Sequence, residues 1–175
     1  DWILFDNNMI LGISHHLHTS FGCVIADNAW IVIQGIETLS LRMERHCSNG
    51  MAVAKYLEKQ ANVEWVSHAG LESSPYFELG KKYLPEGTGS VFTFGVKGGY
   101  ESGLKMLESV ELFSHVANIG DTRSLILHPA STTHRQLTDE QRIAAGAGPE
   151  VIRLSIGIES VEDIISDLDE ALNCL

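Results

Sequence analysis

The chain is poor in the residues that build cross-linked, metal-bound or membrane-spanning proteins. Its 175 residues include three cysteines (Cys23, Cys47 and Cys174), four prolines and 7% aromatic residues. Three scattered cysteines are too few for a disulfide framework or a cysteine-based metal site, so a reducing compartment is the simpler interpretation. No apolar run approaches the roughly 18 residues that a membrane span needs, and residues 1–13 lack the basic start of a signal peptide. We therefore expect a soluble cytoplasmic protein.

Positive charge is also scarce. The chain has 12 lysines and arginines and 23 aspartates and glutamates, which gives a formal net charge of −11. Binding to nucleic acid or to an anionic membrane surface needs a basic face, so neither partner is expected. With 44% apolar and 20% charged residues, the chain can bury a real core as one globular domain.

Several common functional motifs are missing. Gly98-Gly99 and Gly146-Ala147-Gly148 have neither a P-loop lysine nor dinucleotide-binding spacing. There is no Gly-x-Ser-x-Gly elbow of a serine hydrolase. The cluster of His15, His16 and His18 has no well-spaced cysteine or acid beside it, so we predict no metal site.

Helical and strand patterns alternate from Asp27 onward, where an acid or Asn28 can cap a helix. Apolar periodicity to Leu57 predicts one long helix or two consecutive ones, with Gly35 and Gly50 as bending points. Strands are predicted at 63–66, 90–96, 111–117, 124–127 and 151–156. Further helices are predicted at 75–83, at 100–109, after the Thr138 capping box and after Ser160. This alternation predicts one sheet covered on a face by helices.

Arg153 is the first candidate site residue. It lies among Val151, Ile152, Leu154 and Ile156, and burying a guanidinium there is costly unless an anion pairs with it. A guanidinium binds a carboxylate through two parallel hydrogen bonds, which lysine cannot reproduce. Residue types alone leave open a structural ion pair with one of the chain's own acids.

Asn118 is the second candidate. It ends an apolar stretch and precedes the turn-like Ile119-Gly120-Asp121. Its side-chain amide can donate to a carboxylate oxygen, although an ordinary turn residue is the alternative. Arg153 follows 35 positions later (153 − 118), so only the fold can bring the two together.

The string from His128 to His134 supplies weaker candidates. Thr133 is a possible site residue, whereas Ser124, just before the string, is at least as compatible with a structural role. We expect His128 and His134 to be hydrogen-bonded scaffold residues, since nothing near them completes a metal-ligand set. Arg42 and Arg45 share one helical face, so we expect structural salt bridges there.

Long strings of this sequence resemble one enzyme family. They are 34–46, 92–99, 113–134 and 151–159, within a resemblance that runs from about Cys23 to Leu172. These strings are similar to the C-terminal domain of the Cys/Met-metabolism family of pyridoxal-phosphate enzymes, nearest to its O-acetylhomoserine sulfhydrylase branch. Residues 1–22 do not match the family's sequence pattern, so we expect an atypical segment there and the family's C-terminal substrate-binding domain over 23–175.

The resemblance implies a fold and an activity. The fold is α/β of the α+β type: a small, mostly antiparallel sheet with helices on one face, preceded by a long helix, as in fold-type I enzymes. The activity is formation of homocysteine from O-acetyl-L-homoserine and sulfide in methionine biosynthesis, by a homotetramer that uses pyridoxal 5′-phosphate. Arg153, Asn118 and Thr133 then fall at substrate-binding positions, with the α-carboxylate held by Arg153 and Asn118.

One family element is not found. The Ser-x-Thr-Lys segment that bears the cofactor lysine does not occur, so we expect the large cofactor-binding domain to be missing from this chain. We accordingly assign no catalytic residue and expect the chain alone to bind no cofactor and to be inactive. Methionine γ-lyase, cystathionine γ-synthase and a non-catalytic carboxylate-binding module remain alternatives; Ala117-Asn118, where cystathionine-cleaving relatives tend to carry an acid–serine pair, favours the sulfhydrylase.

Overall fold

The computed structural model describes residues 26–175. The chain divides into two compact units, residues 1–40 and 41–175. Helix α1, Ala26–Glu37, belongs to the first unit and carries Asp27 in its first turn. Helix α2, Leu39–Leu57, follows after the single non-helical Thr38. The periodicity therefore corresponds to two helices, and the break falls at Thr38, not at Gly35 or Gly50.

Gly50 lies inside α2 because of packing. A Cβ added at Gly50 would lie 2.9 Å from the Cα of Ser90 and 3.0 Å from the carbonyl oxygen of Gly89. Glycine at this position lets the helix approach the backbone that leads into the second strand, without bending the helix.

Four strands in residues 26–175 form one antiparallel sheet. They are β1 Val63–Ser67, β2 Val91–Val96, β3 Leu125–Leu127 and β4 Val151–Ser155. Their spatial order is β1-β2-β4-β3, so β4 lies between β2 and β3. The expected class is confirmed: an α/β domain with a small antiparallel sheet.

The predicted strand at 111–117 is wrong. Only Ser114 forms a bridge, with Leu125. The backbone N–H groups of Glu111 and Leu112 donate instead to the carboxylate of Asp167, at 2.8 and 3.1 Å. A helix side chain thus satisfies the donors that a strand neighbour would otherwise accept from.

The other described α-helices are α3 Phe77–Tyr83, α4 Gly99–Ser109, α5 Asp139–Ala144 and α6 Val161–Asn173, and all four were predicted. A 3₁₀ turn at Pro129–Ser131 was not predicted. The Thr138 capping box is present, with Gln141 bonded reciprocally at 3.3 and 3.0 Å. Ser160 caps α6 by accepting from the N–H of Asp163 at 3.4 Å. None of the described helices is long and apolar enough to cross a membrane.

The core of residues 41–175 lies between one face of the sheet and helices α2, α4 and α6. Its fully buried members include Phe94, Ile152, Leu154, Leu57, Met106, Ile164 and Leu168. Side chains alternate along a strand, so the neighbours of Arg153 in β4 face this core while Arg153 lies on the opposite face. Of the cysteines, Cys47 and Cys174 are free thiols, and Cys23 lies outside the described residues.

Candidate functional site

Arg153 occupies the middle of the third strand in the sheet's spatial order. Its cross-strand neighbours are Thr93 on β2 and Leu127 on β3, and the side chain is half-buried. Within residues 26–175, no carboxylate lies within ion-pair distance of its guanidinium. The structural ion pair that the sequence left open is therefore not formed within the described part of the chain.

Asn118 is adjacent to Arg153, as the sequence analysis expected. The contact uses the backbone, because Nη2 of Arg153 donates to the carbonyl oxygen of Asn118 at 3.4 Å. The Asn118 side chain has another partner, since its Oδ1 accepts from the N–H of Ile119 at 2.9 Å. The described side-chain bond of Asn118 is thus local to its loop, and its backbone carbonyl is the group that faces Arg153.

The segment that carries Asn118, residues 115–123, forms a loop closed at its base. The N–H of Ser114 donates to the carbonyl of Ser124 at 3.0 Å, and the N–H of Ile126 donates to the carbonyl of Ser114 at 3.1 Å. These bonds tie the start of the loop to the start of β3. The loop therefore leaves and re-enters the sheet edge beside the strand that bears Arg153.

An ion pair stiffens the loop from within. Oδ1 of Asp121 accepts from the backbone N–H of Arg123 at 3.0 Å and from its Nε at 3.3 Å, while Oδ2 accepts from Nη2 at 3.3 Å. The hydrogen bond from the Arg123 side chain lowers the pKa of Asp121, and the Arg123 backbone N–H and the Asn118 side chain add to the effect. The Arg123 side chain is 67% exposed, so its charge faces solvent.

Ser124 is structural. It is fully buried, and its Oγ donates to Oε2 of Glu159 at 3.0 Å while accepting from the N–H of Gly157 at 2.9 Å. Its backbone N–H donates to Oε1 of Glu159 at 2.6 Å. With all its hydrogen-bonding groups engaged by protein, Ser124 has no capacity left for a substrate.

Thr133 is exposed beyond the 3₁₀ turn, and its hydroxyl hydrogen-bonds Nδ1 of His134 at 2.9 Å. In the described part of the chain no hydrogen bond connects it to Arg153 or Asn118. Its substrate-binding role stays a prediction.

His128 is a scaffold residue, as expected. It is fully buried, with Nε2 2.9 Å from the carbonyl oxygen of Pro149 and Nδ1 3.0 Å from the hydroxyl of Ser131. A carbonyl can only accept, so Nε2 carries the proton and Nδ1 accepts. Burial lowers the pKa of His128, which favours this neutral ring.

The other charged candidates do not form a second site. Arg45 is exposed near Glu162, whose pKa is lowered by hydrogen bonds from its own backbone N–H and the Ser160 hydroxyl, with a smaller contribution from Arg45. No group of three potential metal ligands occurs among residues 26–175. The His15, His16 and His18 cluster lies outside the described residues.

All six lysines of the chain lie among the described residues. A Schiff-base lysine needs a sheltered amine, yet all six lysines are exposed. They are Lys55, Lys59, Lys81, Lys82, Lys97 and Lys105. Of these lysines, Lys97 is the nearest to Arg153 in the strand register. It comes just after β2, four positions beyond Thr93, the residue that is paired with Arg153 (97 − 93).

Glu159 was missed at the sequence level. Its contact with Ser124 spans 35 positions, and no spacing rule links a carboxylate after a strand to a serine before another. The available signal was Gly157, since a glycine just after a strand indicates close approach of another backbone.

The chain is similar to a known enzyme family and to individual members of it. Residues 3–173 match the family described as Cys/Met metabolism PLP-dependent enzyme. A homocysteine synthase of Schizosaccharomyces pombe is 51% identical over 82% of this chain and 33% of its own length. An O-acetyl-L-homoserine sulfhydrylase of Thermus thermophilus is 49% identical over 82% of this chain and 34% of its own.

A solved structure agrees with the fold. The crystal structure of an O-acetylhomoserine (thiol)-lyase of Campylobacter jejuni, described with a pyridoxyl-lysine, superimposes with a TM-score of 0.79 at 40% identity. The superposition covers 84% of this chain and 35% of that one.

The chain thus spans about a third of the length of the relatives it matches. The family match includes most of residues 1–22, whereas the two relatives align over about four-fifths of the chain, and the expectation of an atypical segment there stays a prediction. With 171 of its 175 residues matched (173 − 3 + 1), the chain belongs to the Cys/Met metabolism PLP-dependent enzyme family.

Proposed function

We propose that this chain provides the substrate-binding C-terminal part of an enzyme that makes homocysteine from O-acetyl-L-homoserine and sulfide. The observation that carries the proposal is the half-buried guanidinium of Arg153, which has no carboxylate partner among the described residues. Relatives named homocysteine synthase and O-acetyl-L-homoserine sulfhydrylase support the choice of substrate.

Arg153 acts by gripping the α-carboxylate of the amino-acid substrate. An arginine has five N–H donors, and one of them is occupied by the Asn118 carbonyl. That bond fixes the plane of the guanidinium and leaves its other donors for the two carboxylate oxygens. A bidentate grip fixes both the position and the orientation of the bound amino acid, which is what a reaction at its carbon chain needs.

The Asn118 side chain adds a second donor. Its amide nitrogen has two hydrogens that can be donated. We assign one of them to a carboxylate oxygen of the substrate. Thr133 is assigned to the far end of the same amino acid.

The proposal covers binding and orientation by this chain's own residues. The cofactor-dependent bond changes are assigned to parts of the enzyme beyond residues 26–175, because the described lysines are exposed. The homotetramer and the cytoplasmic location implied by the family belong to the same proposal.

Titration of the ¹⁵N-labelled chain with O-acetyl-L-homoserine tests the assignment. We expect the Arg153 Nε–H resonance to shift with the acid and not with the corresponding amide, which lacks the carboxylate. Arg153→Ala should weaken binding by about 1.5–3 kcal/mol, the range for hydrogen bonds to charged groups. Arg45→Ala, which removes an exposed guanidinium elsewhere, is the matched control.

Unchanged affinity in Arg153→Ala would refute the binding role. A separate assay supplies the chain with pyridoxal phosphate, O-acetyl-L-homoserine and sulfide. We expect no homocysteine, and steady production would show that the chain contributes more than binding.

A further inference from the structure

We propose that Glu159 is a positioning residue for the carboxylate-binding site, holding the loop that presents the Asn118 carbonyl to Arg153. The inference rests on the proposed function, since it concerns the same site. Glu159 itself contacts neither the Arg153 guanidinium nor the Asn118 side chain by any hydrogen bond among the described residues. It acts through Ser124, the residue at the base of the 115–123 loop.

The Glu159 carboxylate engages both donors of one residue. Oε1 accepts from the backbone N–H of Ser124 at 2.6 Å, and Oε2 accepts from its hydroxyl at 3.0 Å. No lysine or arginine among residues 26–175 lies within ion-pair distance of this carboxylate. Its hydrogen-bonding capacity is therefore directed at the loop base, where two bonds define the orientation of Ser124 as well as its place.

The turn that carries Glu159 also packs directly against the loop. The N–H of Ile158 donates to the carbonyl of Thr122 at 2.9 Å. A Cβ added at Gly157 would overlap that same carbonyl oxygen and would lie 2.6 Å from the carbonyl carbon of Arg123. The backbone of residues 157–159 thus forms the surface on which the end of the loop is seated.

Helix α2 fixes the turn from its other side. Nδ2 of Asn49 donates to the carbonyls of Gly157 and Glu159, at 3.1 and 2.9 Å. Nδ1 of His46 lies 2.6 Å from the carbonyl oxygen of Ile156. Both side chains are buried, so these bonds are shielded from water.

These contacts define a continuous path from the core to the site. Buried side chains of α2 hold the turn, Glu159 and Ile158 hold Ser124 and Thr122, and the bonds between Asp121 and Arg123 stiffen the loop that carries Asn118. The last bond of the path is the one from Arg153 to the Asn118 carbonyl. The guanidinium orientation consequently depends on a carboxylate that does not contact it.

A carboxylate suits this position better than an amide. Ser124 presents two donors to residue 159, and its hydroxyl oxygen already accepts from Gly157. A glutamine has one acceptor atom, its carbonyl oxygen, and would place its NH₂ group, which cannot accept, opposite the second donor. Glu159→Gln should therefore retain one of the two hydrogen bonds from Ser124, and Glu159→Ala should retain neither.

The test uses ¹⁵N-labelled full chain with Glu159→Ala, Glu159→Gln and, as matched control, Glu162→Ala. Glu162 is an exposed acid three positions along whose carboxylate accepts from the Ser160 hydroxyl at 2.9 Å. Without ligand, Glu159→Ala should shift the Arg153 Nε–H and the 115–123 amide resonances, and Glu162→Ala should leave them in place. Affinity for O-acetyl-L-homoserine should fall roughly threefold or more in Glu159→Ala, with Glu159→Gln intermediate.

The outcomes separate this proposal from the proposed function. If the wild-type chain does not bind O-acetyl-L-homoserine but Glu159→Ala still shifts the Arg153 Nε–H resonance, the positioning role of Glu159 is supported and the proposed function is refuted. If the wild type binds and folded Glu159→Ala retains both its affinity and its Arg153 resonance, positioning is refuted. Should Glu159→Ala not fold, Glu159→Gln and Ser124→Ala decide by the same two measurements, and wild-type values in both would refute it.

Discussion

The guanidinium of Arg153 donates from Nη2 to the backbone carbonyl of Asn118 at 3.4 Å, across 35 positions of sequence. A backbone acceptor keeps the guanidinium oriented without neutralising it, since a carbonyl carries no net charge. An aspartate side chain in the same place would form the ion pair itself and compete with any substrate carboxylate. The charge of Arg153 is thereby left to attract an anion from outside the described residues.

Asn118→Ala separates the backbone contribution of Asn118 from that of its side chain. The carbonyl that orients Arg153 is retained, so the Arg153 Nε–H resonance should move little. Affinity for O-acetyl-L-homoserine should fall by about 0.5–1.5 kcal/mol, the net value of one hydrogen bond. Asn118→Asp should weaken binding further, because it places a negative charge beside the substrate carboxylate. Wild-type affinity in Asn118→Asp would contradict the assignment.

Gly157→Ala should lower the stability of the fold. The new methyl group would overlap the Thr122 carbonyl oxygen and lie against the backbone of Arg123, and neither can move without breaking the seat of the loop. We expect a loss of about 1–3 kcal/mol in the free energy of unfolding by urea, as for overpacked sites. Gly35→Ala is the control, because a Cβ there would meet nothing within 4 Å. A fully stable Gly157→Ala variant would show that the turn is not close-packed.

His128 and His68 should make the chain less stable as the pH falls. Burial lowers the pKa of both imidazoles below the ordinary value of 6.5, so the unfolded chain takes up protons before the folded chain does. Their contribution is complete above pH 6.5 and is lost as the pH falls below it, by no more than about 1.4 kcal/mol per pH unit for each ring.

Urea unfolding at pH 7.5, 6.5, 5.5 and 5.0 measures this dependence. His128→Gln, which cannot titrate, should show a flatter decline below pH 6.5 than the wild type. His115→Gln changes an exposed histidine and should reproduce the wild-type decline. Equal slopes for His128→Gln and the wild type would contradict the prediction.

Short sequence patterns predicted the elements that are stabilised by interactions between residues close in sequence. The capping box at Thr138 and the helix start at Ser160 were predicted from spacing alone, because a helix fixes which residues three and four positions apart meet. Four of the five predicted strands occur, since runs of alternating or β-branched residues rarely suit another structure. The strand at 111–117 failed because its backbone donors are taken by Asp167, 56 and 55 positions away.

The sequence by itself determined most of the helices and strands, the family and the residue type on which a carboxylate site depends, because side-chain chemistry and periodicity are properties of short segments. Only the tertiary structure decided that Arg153 meets the carbonyl of Asn118 and not an acid among residues 26–175. It also decided that Glu159 holds Ser124 and that Asn49 holds the turn of Glu159. These contacts join residues 35 and 110 positions apart, where only the packing of strand, loop and helix sets the distance between atoms.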